Sequence, residues 1–140
     1  RPGCSMGRRR ALGLLVGAGG ALLFGGPARA RASGALPWRA HPDPRPDVDA
    51  SWVLARDKVA PHAVELFDRI REIPRVVDGI RCHCGCGDLP DMYSLLSCYG
   101  ESGMAQYCEI CSGAGRIAAR LHADGRSLDE IRDAIDRRFG

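Results

Sequence analysis

Six cysteines within thirty residues are the part of this sequence best equipped for chemistry. They follow the pattern C-x-C-x-C-x11-C-x9-C-x2-C and stand at Cys82, Cys84, Cys86, Cys98, Cys108 and Cys111. Glycines come after the second and third cysteines, and their conformational freedom would let the backbone turn so that three sulfurs converge on one point. Cysteines at this density bind a metal or form disulfides far more often than they serve packing alone.

The C-x-x-C motif supplies two more thiols beyond the three of the C-x-C-x-C loop. Cys108 and Cys111 are predicted to lie inside a helix, where a spacing of three residues puts both side chains on one face with Cβ atoms about 5–6 Å apart. Two such thiolates can share one ion, because zinc–sulfur bonds are about 2.3 Å long. Soft thiolates select Cu(I) and Zn(II) over hard cations. We therefore predict a metal site built from all six cysteines, with Cu(I) as the first candidate and Zn(II) as the second. More sulfurs than one tetrahedral site requires also favour a multinuclear cluster or a soft metal of low coordination number.

Two other interpretations of the cysteines stay open. The first is a small helical domain stapled by disulfides that acts as a binding or structural module, because oxidising compartments favour disulfides. Disulfides within the C-x-C-x-C loop would close strained rings, so any disulfide should join the loop to a later cysteine. The second is a thiol-redox protein, whose C-x-x-C usually begins a helix after a strand, and no strand is predicted before Cys108. No other catalytic constellation is present, so no enzymatic activity is predicted.

Histidine and methionine are further potential ligands near the cysteines. His83 stands between two cysteines, but in an extended loop its ring would point away from them, so it is predicted to be solvated. Met92 and Met104 flank the cysteine region and could serve copper as thioethers, although methionine is more often a core filler. The remaining histidines are predicted to be surface or helix residues rather than ligands: His41, His62 and His122.

Apolar periodicity predicts the elements that must position these residues. Helical stripes begin near Ser51 and then cover about residues 61–72, a short turn from Pro74, about residues 91–99, and about residues 104–123. A last helix follows the capping box of Ser127 and Glu130. No segment alternates apolar and polar residues for long enough to form a strand. The prediction is an all-α fold, a small helical domain in which the C-x-C-x-C loop packs against the helical C-x-x-C.

The first 32 residues differ from the rest in composition. They contain six arginines and no acidic residue, and three consecutive arginines precede an uncharged apolar run from residue 11 to residue 26. Small residues follow at the positions that a signal peptidase reads, so residues 1–32 are predicted to be a secretory signal peptide cleaved near residues 30–32. The arginines resemble a twin-arginine signal. The run falls short of the roughly 20 apolar residues of a membrane span, and no span is predicted in the mature chain. The protein is therefore expected in the periplasm, the cell envelope or the extracellular space.

The remaining chain divides into a tether and one domain. Residues 33–49 contain four prolines and are predicted to be an extended, solvated tether, and residues 50–140 are predicted to be the helical cysteine-rich domain. The net charge of +3 comes from the leader, because beyond residue 32 there are fourteen basic against seventeen acidic residues. A mildly acidic body lacks the basic surface of a nucleic-acid-binding protein. The expected partners are a metal ion and an envelope metal-handling protein, with no nucleic acid.

The cysteine pattern resembles a family of bacterial exported proteins named for a Pro-Cys-Tyr-Cys-Gly-Cys motif. The motif stands here as Arg81-Cys82-His83-Cys84-Gly85-Cys86, and a lone cysteine, a C-x-x-C and a closing segment at residues 125–136 follow as in the family. The resemblance covers about residues 60–140. Many members look like lipoproteins, whereas this chain has no cysteine at the predicted cleavage point. The resemblance implies a thiol-rich exported domain and no particular activity.

Overall fold

Helices and turns make up the regular structure of residues 40–140, the part of the chain that the computed structural model describes. Within these residues there is no β-strand, and the predicted all-α fold is confirmed. The α-helices are α1 (Val64–Glu72), α2 (Pro74–Asp78), α3 (Glu109–Ala123) and α4 (Leu128–Phe139). Short 3-10 turns connect them: Ala50–Trp52, Arg56–Lys58, Pro61–Ala63, Gly85–Asp88, Leu95–Tyr99 and Met104–Gln106. None of the described helices is long and apolar enough to cross a bilayer.

Prolines set the boundaries of the first two α-helices. Pro61 opens a 3-10 turn that leads directly into α1, whose buried face consists of Leu66, Phe67 and Ile70. The helix ends before Pro74, because the residue that precedes a proline is disfavoured in helical conformation. Pro74 then occupies the first turn of α2, where its missing N–H costs nothing. The helix predicted over residues 61–72 and the turn predicted from Pro74 are thus confirmed.

The C-terminal pair of helices covers the other side of the core. Ser127 caps α4 by accepting a hydrogen bond from the N–H of Glu130, and Glu130 accepts in return from the N–H of Ser127 at 2.9 Å. Ile131 and Ile135 have no exposed surface and pack towards α3. The predicted capping box and its helix are therefore confirmed.

Three predicted helical segments differ in detail. The stripe near Ser51 forms two 3-10 turns instead of an α-helix, because neither turn continues into a second hydrogen-bonded turn. The segment predicted over about residues 91–99 is helical only over the turn Leu95–Tyr99, which Ser94 caps. The helix predicted over residues 104–123 breaks after Met104–Gln106 and resumes only at Glu109.

Residues 40–49 lie against the domain, which corrects the predicted solvated tether over this part. Val48 is only 4% exposed. The side chain of Asp78 has no exposed surface and accepts hydrogen bonds from the backbone N–H of Arg45 at 2.8 Å and from its guanidinium at 2.6 Å. A buried carboxylate needs such a partner, so the ion pair holds the segment in place. Residues 33–39 and the predicted signal peptide lie outside the described residues.

Candidate metal centre

Four sulfurs meet in the domain and come from three separate parts of the chain. Cys82 and Cys84 lie on the loop after α2, Cys98 lies in the turn Leu95–Tyr99, and Cys111 lies in the first turn of α3. Their Sγ atoms all lie within 4.8 Å of one another, and we call them the four-sulfur centre. Cys98 and Cys111 have no exposed surface, Cys82 is buried, and Cys84 is half-buried.

The separations between these sulfurs suit one ion held by four thiolates. Cys82 Sγ lies 3.1 Å from that of Cys84, 3.5 Å from that of Cys98 and 3.6 Å from that of Cys111. Cys111 Sγ lies 3.5 Å from Cys84 Sγ and 3.4 Å from Cys98 Sγ. In a regular tetrahedron with metal–sulfur bonds of about 2.3 Å, sulfurs are about 3.8 Å apart. These separations would need to widen by only about 0.2–0.7 Å to accept an ion at the centre.

A close approach at Gly87 folds the C-x-C-x-C loop back on itself. The N–H of Gly87 donates to the carbonyl of Cys84 at 3.0 Å and closes a 3-10 turn. A Cβ on residue 87 would lie 2.6 Å from the carbonyl oxygen of Cys82, closer than real Cβ atoms come to other atoms. A Cβ on Gly85 would meet open space. Of the two glycines predicted to turn the loop, Gly87 is therefore the one that the fold requires.

The C-x-x-C pair lies at the beginning of α3, which corrects the prediction that both cysteines lie inside a helix, because only Cys111 belongs to α3. Cys108 is the N-cap residue, with an extended backbone at φ −109° and ψ 112°. Its sulfur accepts a hydrogen bond from the N–H of Cys111 at 3.5 Å, which satisfies a free donor of the first helical turn. Cys111 points into the core from that turn, and Cys108 stays half-buried.

Tyr99 fixes the position of two sulfur-bearing elements relative to each other. Its hydroxyl donates to the carbonyl of Cys111 at 2.9 Å, and its ring packs on Phe67 with centroids 4.9 Å apart. A Cβ at Gly115 would overlap the Tyr99 hydroxyl, so the glycine leaves the room that this contact needs. Because Tyr99 follows Cys98 in the chain, one buried side chain joins the turn Leu95–Tyr99 to α3. In the sequence, the only signal for this role of Tyr99 is its position next to Cys98.

Cys86 and Cys108, the other two predicted ligands, lie at the edge of the four-sulfur centre. Both are half-buried, and neither belongs to the group of four sulfurs that lie within 4.8 Å of one another. Cys86 Sγ also lies 3.9 Å from the sulfur of Met104. Met92, in contrast, packs against the hydrophobic core. The structure therefore brings four of the six predicted ligands into one tight group and places the other two beside it.

The thiols of the centre have strongly opposed affinities for protons. Hydrogen bonds from Cys111, and then from Cys98, lower the pKa of Cys82 to about 2. Burial, followed by the hydrogen bond to Cys82, raises the pKa of Cys84 to about 12. Hydrogen bonds to Cys82 and Cys98 raise the pKa of Cys111. For Cys98 the hydrogen bond with Cys111 lowers the pKa, but the bond to Cys82 and burial outweigh it and the pKa is raised. Without a cation one thiolate is therefore stabilised by three thiols, since four adjacent thiolates would repel one another.

The pKa of Cys108, which lies outside the four-sulfur centre, is also lowered. Burial raises its pKa, but hydrogen bonds from the backbone N–H and the thiol of Cys111 outweigh burial and lower it. The N-cap position supplies this effect, because the free N–H groups of the first turn stabilise negative charge.

His83 is buried, which corrects the prediction that it is solvated. Its side chain is 1% exposed, and its Nε2 lies 2.6 Å from a carboxylate oxygen of Asp136 in α4. His41 Nε2 lies 3.2 Å from the other oxygen of the same carboxylate, and the N–H of Arg81 donates to His41 Nδ1 at 3.1 Å. The His83 ring contacts α4 instead of water. No sequence signal indicated Asp136, which is 53 residues away from His83.

The other two histidines lie away from the sulfurs. His62 is exposed, and its Nε2 lies 3.0 Å from the carbonyl oxygen of Gln106. His122 is exposed in the last turn of α3.

All six described cysteines are free thiols. The shortest separation, 3.1 Å between Cys82 and Cys84, is well beyond the roughly 2.05 Å of a disulfide bond. A shared metal and a disulfide both require sulfurs that are near one another, so the distinction between them is one of redox chemistry.

No family model, curated protein or solved structure gives a significant match to this chain.

Proposed function

We propose that this chain is an exported, non-enzymatic metal-binding protein whose four-sulfur centre holds Zn(II). The observation that carries the proposal is the approach of four sulfurs from three parts of the chain to within 4.8 Å of one another. Four thiolates in tetrahedral arrangement are typical of zinc, and a site with four protein ligands leaves no open position for water or substrate. Zinc therefore ranks before Cu(I), which reverses the order that the number of cysteines favours. Cu(I) is the second candidate for the same centre.

The charge of the centre supports a cation. Four mostly buried sulfurs this close together cannot all be ionised, because four adjacent thiolates would repel one another, and the pKa of three of the four thiols is raised. A divalent ion would replace the protons of these thiols and hold the same four sulfurs. Burial of Cys98 and Cys111 would then shield the bound thiolates from oxidants.

Export is part of the proposal and rests on the sequence. The arginines, the apolar run and the small residues within residues 1–32 have the order of a secretory signal. The resemblance to the exported Pro-Cys-Tyr-Cys-Gly-Cys family supports the same location. The partner proposed with it is an envelope protein that delivers or receives the ion.

Metal analysis combined with thiol counting tests the proposal directly. Protein isolated anaerobically from its own envelope should contain about one zinc per chain, and a chelator alone should raise the number of alkylatable thiols. A disulfide scaffold would behave differently, because its thiols would appear only after reduction. Absence of bound metal together with chelator-insensitive thiols would refute the metal proposal.

A matched pair of substitutions tests which thiols are ligands. Cys84 and Cys108 are both half-buried, but only Cys84 belongs to the four-sulfur centre. Cys84→Ser should weaken zinc binding by two orders of magnitude or more, whereas Cys108→Ser should leave it within a few-fold. Circular dichroism of both variants shows whether the helices persist. Equal losses of affinity in two folded variants would contradict the proposed ligand set.

Thiol–disulfide exchange is a second candidate, favoured by the place of Cys108 at the N-cap of α3. A half-exposed thiol at a helix N-terminus, with a buried thiol three residues later, is the arrangement of dithiol reductants. The Cys108 thiolate would attack a disulfide of a substrate protein, and Cys111 would displace the mixed disulfide. The substrate would leave with two thiols and the chain would retain a Cys108–Cys111 disulfide, a transfer of two electrons. Reduction of insulin by the metal-free protein, lost in Cys108→Ser, would favour this candidate over metal binding.

A further inference from the structure

The sulfurs of Cys86 and Met104 lie 3.9 Å apart, outside the four-sulfur centre. Cys86 belongs to the turn Gly85–Asp88 and Met104 to the turn Met104–Gln106, so the contact joins two loops that are distant in sequence. Both residues are half-buried and thus lie between the interior and solvent. A second methionine, Met92, packs against the core and shows what a core-filling methionine does in this fold.

The turn that carries Met104 is held by polar contacts rather than by the methionine side chain. The side-chain oxygen of Gln106 accepts from the N–H of Ala60, and its amide nitrogen donates to the carbonyl of Gly103 at 3.1 Å. His62 adds a contact to the carbonyl of Gln106 at 3.0 Å. These contacts hold the backbone of the turn without the Met104 side chain, so the thioether is not needed for the fold of the turn and can act as a ligand.

Cys84 connects this pair of sulfurs to the four-sulfur centre. It stands two residues before Cys86 in the same loop, and its Sγ lies 3.5 Å from Cys111 Sγ. Three sulfurs around one ion, with bonds of about 2.3 Å, lie about 4.0 Å apart in a planar arrangement. The 3.9 Å separation of Cys86 and Met104 fits that geometry for two of the three sulfurs.

We propose that Cys86, Met104 and Cys84 form a second, outer site for a monovalent thiophilic ion, Cu(I). The proposal rests on the proposed function, because Cys84 is shared with the zinc centre as a bridging thiolate. The thioether decides the ion: methionine sulfur is a soft ligand that suits Cu(I), whereas zinc sites in proteins are built from cysteine, histidine and carboxylates. The half-buried site would receive Cu(I) from solvent or from a carrier without displacing the inner ion.

Nuclear magnetic resonance of methionine methyl groups tests the outer site directly. In zinc-loaded, reduced protein labelled at methionine, one equivalent of Cu(I) should shift the methyl resonance of Met104 and leave that of Met92 in place. Met104→Leu and Met92→Leu assign the two signals. A shift of neither resonance, or of Met92 alone, would overturn the outer site.

Affinity measurements with matched variants complete the test. Cys86→Ser and Met104→Leu should each weaken Cu(I) binding at least about tenfold, since even indirect partners of a metal site are worth 10- to 100-fold. Cys108→Ser and Met92→Leu, the matched thiol and thioether, should change it less than threefold. Release of zinc by the first equivalent of Cu(I) would overturn the proposal, because it would place Cu(I) in the inner centre.

The outer site and the proposed function can fail separately. If the isolated protein binds no zinc, the zinc proposal fails, and the Cu(I) comparison of Met104→Leu with Met92→Leu is then made on metal-free protein. Equal Cu(I) affinities of those two variants would overturn the outer site alone. Zinc binding with a silent Met104 resonance would leave the inner centre intact and overturn the outer one.

Discussion

A methyl group added at Gly87 should damage the four-sulfur centre, whereas the same group at Gly85 should not. The Cβ of an alanine at position 87 would lie 2.6 Å from the carbonyl oxygen of Cys82. Ordinary contacts between carbon and oxygen begin near 3.3 Å, so the loop would have to move by about 0.7 Å. The oxygen is backbone and cannot rotate away, so the backbone at Cys82 and at residue 87 must move apart.

The consequence for metal binding follows from the tolerance of a metal site. Metal–ligand distances in such sites hold to within about 0.2 Å, so even half of a relative shift of about 0.7 Å between Cys82 and residue 87 exceeds what the centre can absorb. Cys82 Sγ approaches three of the other sulfurs, so its displacement disturbs every ligand of the ion. We expect Gly87→Ala to weaken zinc binding at least tenfold, equivalent to about 1.4 kcal/mol.

Gly85→Ala is the matched control in the same loop. A Cβ there meets nothing within 4 Å. We expect an affinity within about twofold of the original, and a gain in stability of about 0.4–1 kcal/mol because alanine restricts the unfolded chain. Competition with a chromophoric zinc chelator under reducing conditions measures both affinities, and circular dichroism checks the fold. Equal affinities for the two variants, or a larger loss in Gly85→Ala, would refute the steric argument.

Three further predictions concern protons, a buried charge and a helix contact. Zinc binding at pH 7 should release about three protons, because the pKa of three of the four thiols is raised, and the apparent zinc affinity should fall as the pH falls. Calorimetry in buffers of different ionisation enthalpy measures the number of protons released, and a release near zero would contradict the prediction. Asp78→Asn should lower the free energy of unfolding at pH 7 by about 3 kcal/mol, because it leaves Arg45 without its buried partner. Burial raises the pKa of Asp78, but hydrogen bonds, first from Arg45, outweigh burial and lower the pKa. The stabilisation by the Asp78 carboxylate is therefore present above the usual carboxylate pKa and is lost as the pH falls through the lowered pKa. Urea unfolding of the original protein and of Asp78→Asn should show a smaller difference in stability at strongly acidic pH than at neutral pH. Gly115→Ala should destabilise the fold by about 1–3 kcal/mol, because its Cβ crowds Tyr99. Gly113→Ala, whose Cβ meets only the half-buried ring of Phe139, should be neutral or stabilising. Thermal unfolding measures both stabilities, and a larger loss in Gly113→Ala than in Gly115→Ala would contradict the prediction.

The helices illustrate what local sequence can predict. Pro61, Pro74 and the capping box at Ser127 act through their own backbone and nearest neighbours, and the helices they begin were predicted close to their observed limits. The helix predicted from Met104 onward was wrong at its beginning. Apolar spacing continues through residues 104–108, but Cys108 uses its sulfur as a cap and interrupts the helix.

In the candidate site, too, residue type and spacing predict one part and tertiary contacts determine the rest. Cysteine density pointed to all six thiols, and four of them do converge. The separation of an inner group from Cys86 and Cys108 depends on contacts between the loop, the turn Leu95–Tyr99 and α3. Sequence spacing carries no information on those contacts, because they join residues 13 to 29 positions apart.

The sequence by itself determined the all-α class, the principal helices and a cysteine content able to bind a metal ion, because these depend on residue type and on neighbours within a turn or two. Tertiary structure decided which sulfurs share one centre, that residues 40–49 pack on the domain, and that His83 contacts Asp136 instead of water. Each of these outcomes depends on the packing of distant segments. A hydrophobic core brings such segments together by excluding water, and their final distances follow from how Phe67, Tyr99 and their neighbours fill that core.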